Sequence, residues 1–396
     1  MAETTQLTVS CHCSSANHTF SVPNSLLPLP TNLCNCNISR RISGSLLTSY
    51  VNITFDDGVP KPDTSALTPY RSSSILTRHF CSTCGTHMYL EYHADGHYEA
   101  ATGTFQLPST DGIIEFKSQM WIEDTKDGGA SQFLTHIDNE ELPRYLRESD
   151  QSPDAPLEWT LHTPATSTSE VKKSVHAHCH CNGVEFYITA PDATSYASTS
   201  GYPDLLVPYQ SSPQTISLSN RSNQPWWIQR HGTRFLAGTC TCNSCRRASG
   251  FDITFWAFIP SSNIFRDSAC TQAFIRNPDP EGAGSEKYWG TMKSYTSSPG
   301  VTRTFCSICG ANVFWDGRPG REEEGSNALV DVAVGLLDAG SGARAEEFLA
   351  WWPGRVSFRE EASNKGLVKG LEEGLASWTE RNQGKEYVAD GENVPV

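Results

Sequence analysis

Apolar residues recur along this chain at short range and in short runs. Residues 183–190 (GVEFYITA), 252–260 (DITFWAFIP), 87–93 (HMYLEYH) and 312–317 (NVFWDG) hold alternating or continuous apolar positions. Gly, Pro and polar residues bound them, so the pattern predicts strands. Helical spacing is scarce. Its best instance lies near the C-terminus, where Leu367, Leu371, Leu375 and Trp378 recur every three to four residues and predict a short helix. Gly366, Gly370 and Gly374 weaken that expectation, because glycine costs helix stability. The pattern implies an all-β chain with a short C-terminal helix.

The runs follow cysteine clusters that occur twice in the same order. The first half reads SCHCSSANHTF, CNCNISRRISG and HFCSTCGTHMYLEY; the second reads AHCHCNGVEFYI, CTCNSCRRASG and TFCSICGANVFW. Three matching clusters in one order predict two tandem copies of one domain, residues 1–148 and 175–396. The stretch 149–174, rich in Ser, Thr, Pro and charge, reads as a linker with an extended piece at Leu157–Leu161. The second copy carries a long insertion at residues 190–238. Its Tyr202, Tyr209, Trp226 and Trp227 either plug the domain's own core or wall a substrate pocket. Trp351 and Trp352 read as core or inter-domain packing.

Length and composition fit this picture. The chain has 396 residues, suited to two domains, and its 30 Gly and 23 Pro favour turn-rich β structure. A net charge of −14 argues against nucleic acid or an anionic membrane as the main partner. No apolar run reaches bilayer length, and MAETTQLTVS lacks the features of a secretory signal. The expectation is an intracellular, cytoplasmic protein. In that compartment thirteen clustered cysteines, of fourteen in all, point to metal rather than disulfides. Cys270 stands apart and reads as a buried small hydrophobe.

The clusters divide by ligand count. Cys11, Cys13, Cys81 and Cys84 supply four thiolates, as do Cys179, Cys181, Cys306 and Cys309; each set would close a structural zinc site. Cys240, Cys242 and Cys245 supply three, which leaves a fourth position open. Three thiolates make that complex a poor activator of water and suit a soft exchangeable ligand such as a substrate thiolate. Arg246 and Arg247 follow and can compensate charge or bind a carboxylate of a co-substrate. In the first half Ser39 stands where the third cysteine belongs, beside Cys34 and Cys36, and serine is a poor zinc ligand. About three zinc ions per chain are therefore expected. The histidines near the clusters (His12, His18, His79, His87, His176, His178, His180) have no direction fixed by sequence, and none is nominated.

The set C-H-C, C-x-C-x-x-C-R-R-x-S-G and F-C-x-x-C-G resembles the glutathione-dependent formaldehyde-activating enzyme family, which includes centromere protein V. The resemblance implies two zinc-containing β-tent domains, each with a structural zinc on its first and last clusters. It further implies a labile or catalytic zinc on Cys240, Cys242 and Cys245, glutathione as co-substrate, and carbon–sulfur lyase chemistry on a small-molecule thiol or thiol adduct. The C-terminal copy would be reactive and the degenerate N-terminal copy its intramolecular partner. The competing reading is a non-catalytic zinc-stabilised binding or scaffold module, of which the lost third cysteine would be a symptom.

Overall fold

The computed structural model describes residues 3–54, 61–161, 174–209, 211–212, 225–274, 288–317 and 328–382. The chain is mostly β-sheet, with three α-helices among the described residues. In the first half, β1 (Thr4–Ser10) and β2 (Asn17–Pro23) form a hairpin, followed by β3 (Leu29–Cys34) and α1 (Asn37–Ser43). Then come β4 (Tyr50–Asn52), β5 (Leu67–Arg71), β6 (Leu76–Cys81), β7 (His87–Tyr92) and β8 (Tyr98–Ala101), paired as a sheet of order β4-β8-β7-β6-β5. β9 (Ile114–Met120) returns parallel to β3, and a small hairpin, β10 (His136–Ile137) and β11 (Glu140–Glu141), follows.

The second half opens with the hairpin β12 (Ser174–His178) and β13 (Glu185–Thr189), then β14 (Ile228–Gln229), β15 (Arg234–Cys240) and α2 (Asn243–Ser249). β16 (Thr254–Pro260), β17 (Ile264–Phe265), β18 (Met292–Ser298), β19 (Val301–Cys306), β20 (Asn312–Gly317) and β21 (Leu329–Ala333) come next. β22 (Leu337–Asp338), β23 (Leu349–Trp351) and α3 (Lys365–Asn382) complete it. Its main sheet runs β14-β15-β16-β21-β20-β19-β18, with β23 parallel to β15. The core order β16-β21-β20-β19-β18 parallels β4-β8-β7-β6-β5, and each half pairs the strand before its short helix with a parallel later strand. Strand alternation explains the packing: β12 buries Val175 and Ala177 and turns His176 and His178 outward.

The halves meet through reciprocal contacts. Gly103 N–H donates to the Gly250 carbonyl, and Gly335 N–H donates to the Gly44 carbonyl. His12 Nδ1 lies 2.9 Å from Tyr295 OH, while His180 Nδ1 lies 2.7 Å from Tyr70 OH. Phe80 and Phe305 stack edge to face, with centroids 6.3 Å apart. Gly44 and Gly250, which end the two R-R-x-S-G motifs, adopt left-handed φ of 75° and 91°. A Cβ on Gly44 would sit 2.4 Å from the Asn312 carbonyl oxygen, and one on Gly250 2.3 Å from that of His87. Glycine is required there twice over, by conformation and by close approach.

Several expectations need correction. The C-terminal helix is not short: it runs 18 residues and crosses to the first half, where Trp378 packs on Phe133 at 5.0 Å. The glycines that weaken it intrinsically are its docking surface, since a Cβ on Gly370 or Gly374 would fall 2.1 Å from the carbonyl oxygens of His136 and Phe133. Trp351 also reaches Phe133, at 5.1 Å. Leu157–Leu161 is not extended; Trp159 N–H closes a turn on the Pro156 carbonyl, and Leu161 N–H donates to that of Lys126. The early part of the expected linker thus packs on the first half, and residues 162–173 lie outside the described residues. Cys270 is only half-buried, in a turn with φ of 54°. Within the expected insertion, residues 213–224 lie outside the described residues and Arg234 already begins β15. No helix among the described residues is long and apolar enough to cross a membrane.

Candidate metal and thiol centre

Two four-cysteine groups form at corresponding places. The sulfurs of Cys11, Cys13, Cys81 and Cys84 lie within 4.8 Å of one another, as do those of Cys179, Cys181, Cys306 and Cys309. In each group a hairpin supplies the first pair, and the turn after a core strand supplies the second. Cys11–Cys13 and Cys13–Cys81 are 3.5 and 3.6 Å apart, and Cys179–Cys181 and Cys181–Cys306 both 3.5 Å. Tetrahedral zinc with bonds of about 2.3 Å sets ligand sulfurs about 3.8 Å apart, close to these edges. A disulfide needs about 2.05 Å, and all fourteen cysteines are free thiols. The donor sets fit structural zinc.

Cys240, Cys242 and Cys245 form the third group, again within 4.8 Å. Cys240 ends β15, and Cys242 caps α2 by accepting the Cys245 N–H at 3.2 Å. Cys245 lies in the first turn of α2, so strand end, cap and helix start turn three sulfurs to one point. All three residues line a cavity of about 580 Å³.

A row of side chains crosses four strands above them. Register places Arg303 of β19 opposite Trp315 of β20, Trp315 opposite Asp331 of β21, and Asp331 opposite Phe258 of β16. All four line the cavity with Trp256. Buried Arg303 donates from Nη2 to Cys245 Sγ at 3.4 Å and to Ser244 Oγ at 3.1 Å. Hydrogen bonds from Cys240 and Cys242, with the Arg303 charge, outweigh burial and hold the Cys245 thiol low, in its ionised form.

The insertion forms the facing wall. Asp204, Leu205, Tyr209 and Trp226 all line the cavity. Asp204 anchors them: its carboxylate is fully buried and pairs with Arg355 at 3.1 Å. The same carboxylate accepts the N–H of Tyr209 and of Phe358. Trp226 stacks edge to face on Phe258 at 5.1 Å, and Trp227 is buried beneath it. The insertion's aromatics therefore divide between cavity and core. Tyr209 and Trp226 wall the cavity, while Trp227 fills the core.

Arg246 and Arg247 do not face the cavity, which corrects the expectation that they bind a co-substrate there. Arg246 is buried and donates to the carbonyls of Gly103 and Phe105 at 2.6 and 3.2 Å. Arg247 reaches the Cys11 carbonyl at 3.1 Å. The helix turn that aims Cys245 inward sends both arginines toward the first half. Arg303 is the cation that the sequence reading missed. Its signal was present, as an arginine three residues before each F-C-x-x-C-G cysteine: Arg78 in one half and Arg303 in the other.

The first half shows what the third cysteine changes. Ser39 Oγ donates to Cys34 Sγ at 3.4 Å and accepts from Arg78 Nη2 at 3.2 Å. Arg78 also donates to Tyr50 OH at 3.2 Å. The equivalent row reads Arg78, Leu90, Glu99 and Asn52, without the indole and phenyl walls. His12 and His180 turn away from their neighbouring sulfurs to the cross-half tyrosines, and His12 Nε2 also meets Ser244 Oγ at 3.2 Å. Burial, with Arg303 and Arg247 nearby, pushes His12 down to about 4. His12 is thus a neutral hydrogen-bonding neighbour of the cavity rim.

A comparison with curated proteins gives no match. Residues 6–124 match the family model of the glutathione-dependent formaldehyde-activating enzyme, so that this segment of the first half is similar to that family.

Proposed function

We propose that the chain is a pair of related β-tent domains in which the second half is a carbon–sulfur lyase-type enzyme acting on glutathione or another thiol adduct. The first half serves as its intramolecular partner. The reading rests on one observation above all: three converging thiols and a buried arginine lining an aromatic-walled cavity. The reciprocal contacts between halves and the parallel strand orders support the pairing. Zinc bound by Cys240, Cys242 and Cys245 would keep one position for a substrate sulfur and favour its thiolate form.

The chain's own residues supply the rest. Arg303 balances negative charge at the sulfur cluster from a fixed, buried position. Trp226, Trp256, Phe258 and Trp315 exclude water and hold the apolar part of the adduct. In the synthetic direction the substrate sulfur bonds to a carbonyl carbon, the C=O π pair moves to oxygen, and the thiol proton ends on that oxygen. The lyase direction reverses these moves.

The test exchanges the residues that distinguish the halves. Cys245→Ser should abolish turnover of a glutathione–formaldehyde adduct while the melting temperature holds. Ser39→Cys should bind additional zinc beside Cys34 and Cys36 without creating a second activity, because its half lacks the aromatic walls. Full activity in Cys245→Ser would leave the non-catalytic binding module as the better reading.

A further inference from the structure

The outer face of the β12–β13 hairpin carries side chains that belong to neither thiol cluster. Alternation along β12 turns Ser174, His176 and His178 to that face. Register sets Asp338 of β22 opposite His176, and Glu185 of β13 opposite His178. The two imidazoles lie side by side, with centroids 4.9 Å apart and planes 21° from parallel. One donor atom from each of His176, His178 and Asp338 falls within 4.8 Å of the other two.

We propose that His176, His178 and Asp338 form a separate site for a borderline divalent ion such as zinc, nickel or cobalt, with Glu185 adding negative charge beside His176. Two imidazoles and a carboxylate suit these ions, whereas magnesium and calcium prefer all-oxygen cages. The His178 tautomer is already set. Its Nδ1 lies 3.1 Å from the Cys179 carbonyl oxygen, so the proton sits on Nδ1 and Nε2 keeps its lone pair for the ion. Glu185 Oε1 lies 2.7 Å from His176 Nε2, out of line for a hydrogen bond, and so brings a second negative charge beside the ring. Tyr187 stacks on the same ring at 4.9 Å and limits its rotation. Arg41 meets Asp338 Oδ1 at 3.1 Å and leaves the other oxygen free to bind. Its charge opposes a cation, while Asp338 and Glu185 together outweigh it. The site is therefore weaker than the thiolate groups and unnecessary for folding.

The first half supplies an internal control. In its β1–β2 hairpin Ser10 pairs with Asn17, as His178 pairs with Glu185. The Thr8 carbonyl accepts the Gln106 N–H at 2.8 Å, in the place where His176 meets Asp338. Thr8, Ser10, Asn17 and Gln106 are neutral side chains, and their counterparts are two histidines and two carboxylates. A solvated strand face has no need for all four positions to change together; an ion site does.

The experiment titrates zinc-loaded full-length chain with Ni²⁺, read by calorimetry and by paramagnetic broadening of the His176 and His178 ring resonances. Zinc content is checked afterwards to show that the thiolate groups stay filled. One Ni²⁺ per chain should bind beyond the zinc, with affinity falling at least about tenfold in each of His176→Gln, His178→Gln and Asp338→Asn. Melting temperatures should stay near wild type. Absence of an extra ion in wild type, or wild-type affinity in the variants that fold, would overturn the site.

Discussion

At the scale of single residues, the two halves differ most where one atom changes the chemistry. Sulfur at Cys245 receives the Arg303 guanidinium; oxygen at Ser39 receives that of Arg78. Arg303 uses its rigid fork to reach Cys245, Ser244 and Ser297 together. A lysine keeps the charge and loses that geometry. Arg303→Lys should therefore lower kcat/KM for the thiol adduct by about tenfold or more, a transition-state loss of about 1.4 kcal/mol or greater. Arg78→Lys should leave turnover unchanged, although both variants lose buried hydrogen bonds and some stability. Steady-state kinetics beside thermal melts separates the effects. Equal loss of turnover in both variants would mean that Arg303 acts only through the fold.

At the scale of elements, α3 shows local preference yielding to packing. Leu367, Leu371, Leu375 and Trp378 make its buried stripe, and the glycines one residue before each leucine let the helix backbone touch the first half. Alanine in an exposed helix would stabilise it by about 1 kcal/mol over glycine. Here the added methyl would strike the Phe133 carbonyl, and overpacking of this kind costs about 1–3 kcal/mol. Gly374→Ala should therefore lower the denaturation midpoint despite better helix propensity. A rise would show that α3 docks loosely. The insertion follows the same logic in another form. The buried Asp204–Arg355 pair makes it a fixed wall, a connection between residues 151 positions apart that no local pattern announces.

At the scale of the molecule, the four-thiol groups and the interface between halves are one structure. Phe80 and Phe305 each precede a cysteine of these groups and stack on each other, so loosening either group loosens the contact. Cys84→Ala and Cys309→Ala should each produce one cooperative unfolding transition with a strongly lowered midpoint, because a structural zinc at these groups would contribute folding free energy directly. Cys242→Ala should barely move the midpoint. Two separate transitions in calorimetry would show that the halves unfold independently. What the sequence by itself determined was periodic and local: short strands, a C-terminal helix, three kinds of cysteine cluster and the odd serine at position 39. Each follows from residue spacing, which needs no knowledge of distant neighbours. Tertiary structure alone decided where side chains converge. It sent Arg246 and Arg247 into the contact between halves and brought Arg303 to Cys245. It also carried α3 onto the opposite half and set His176 and His178 beside Asp338. Direction in space depends on register and on which faces are buried, and those are fixed only when the whole chain packs.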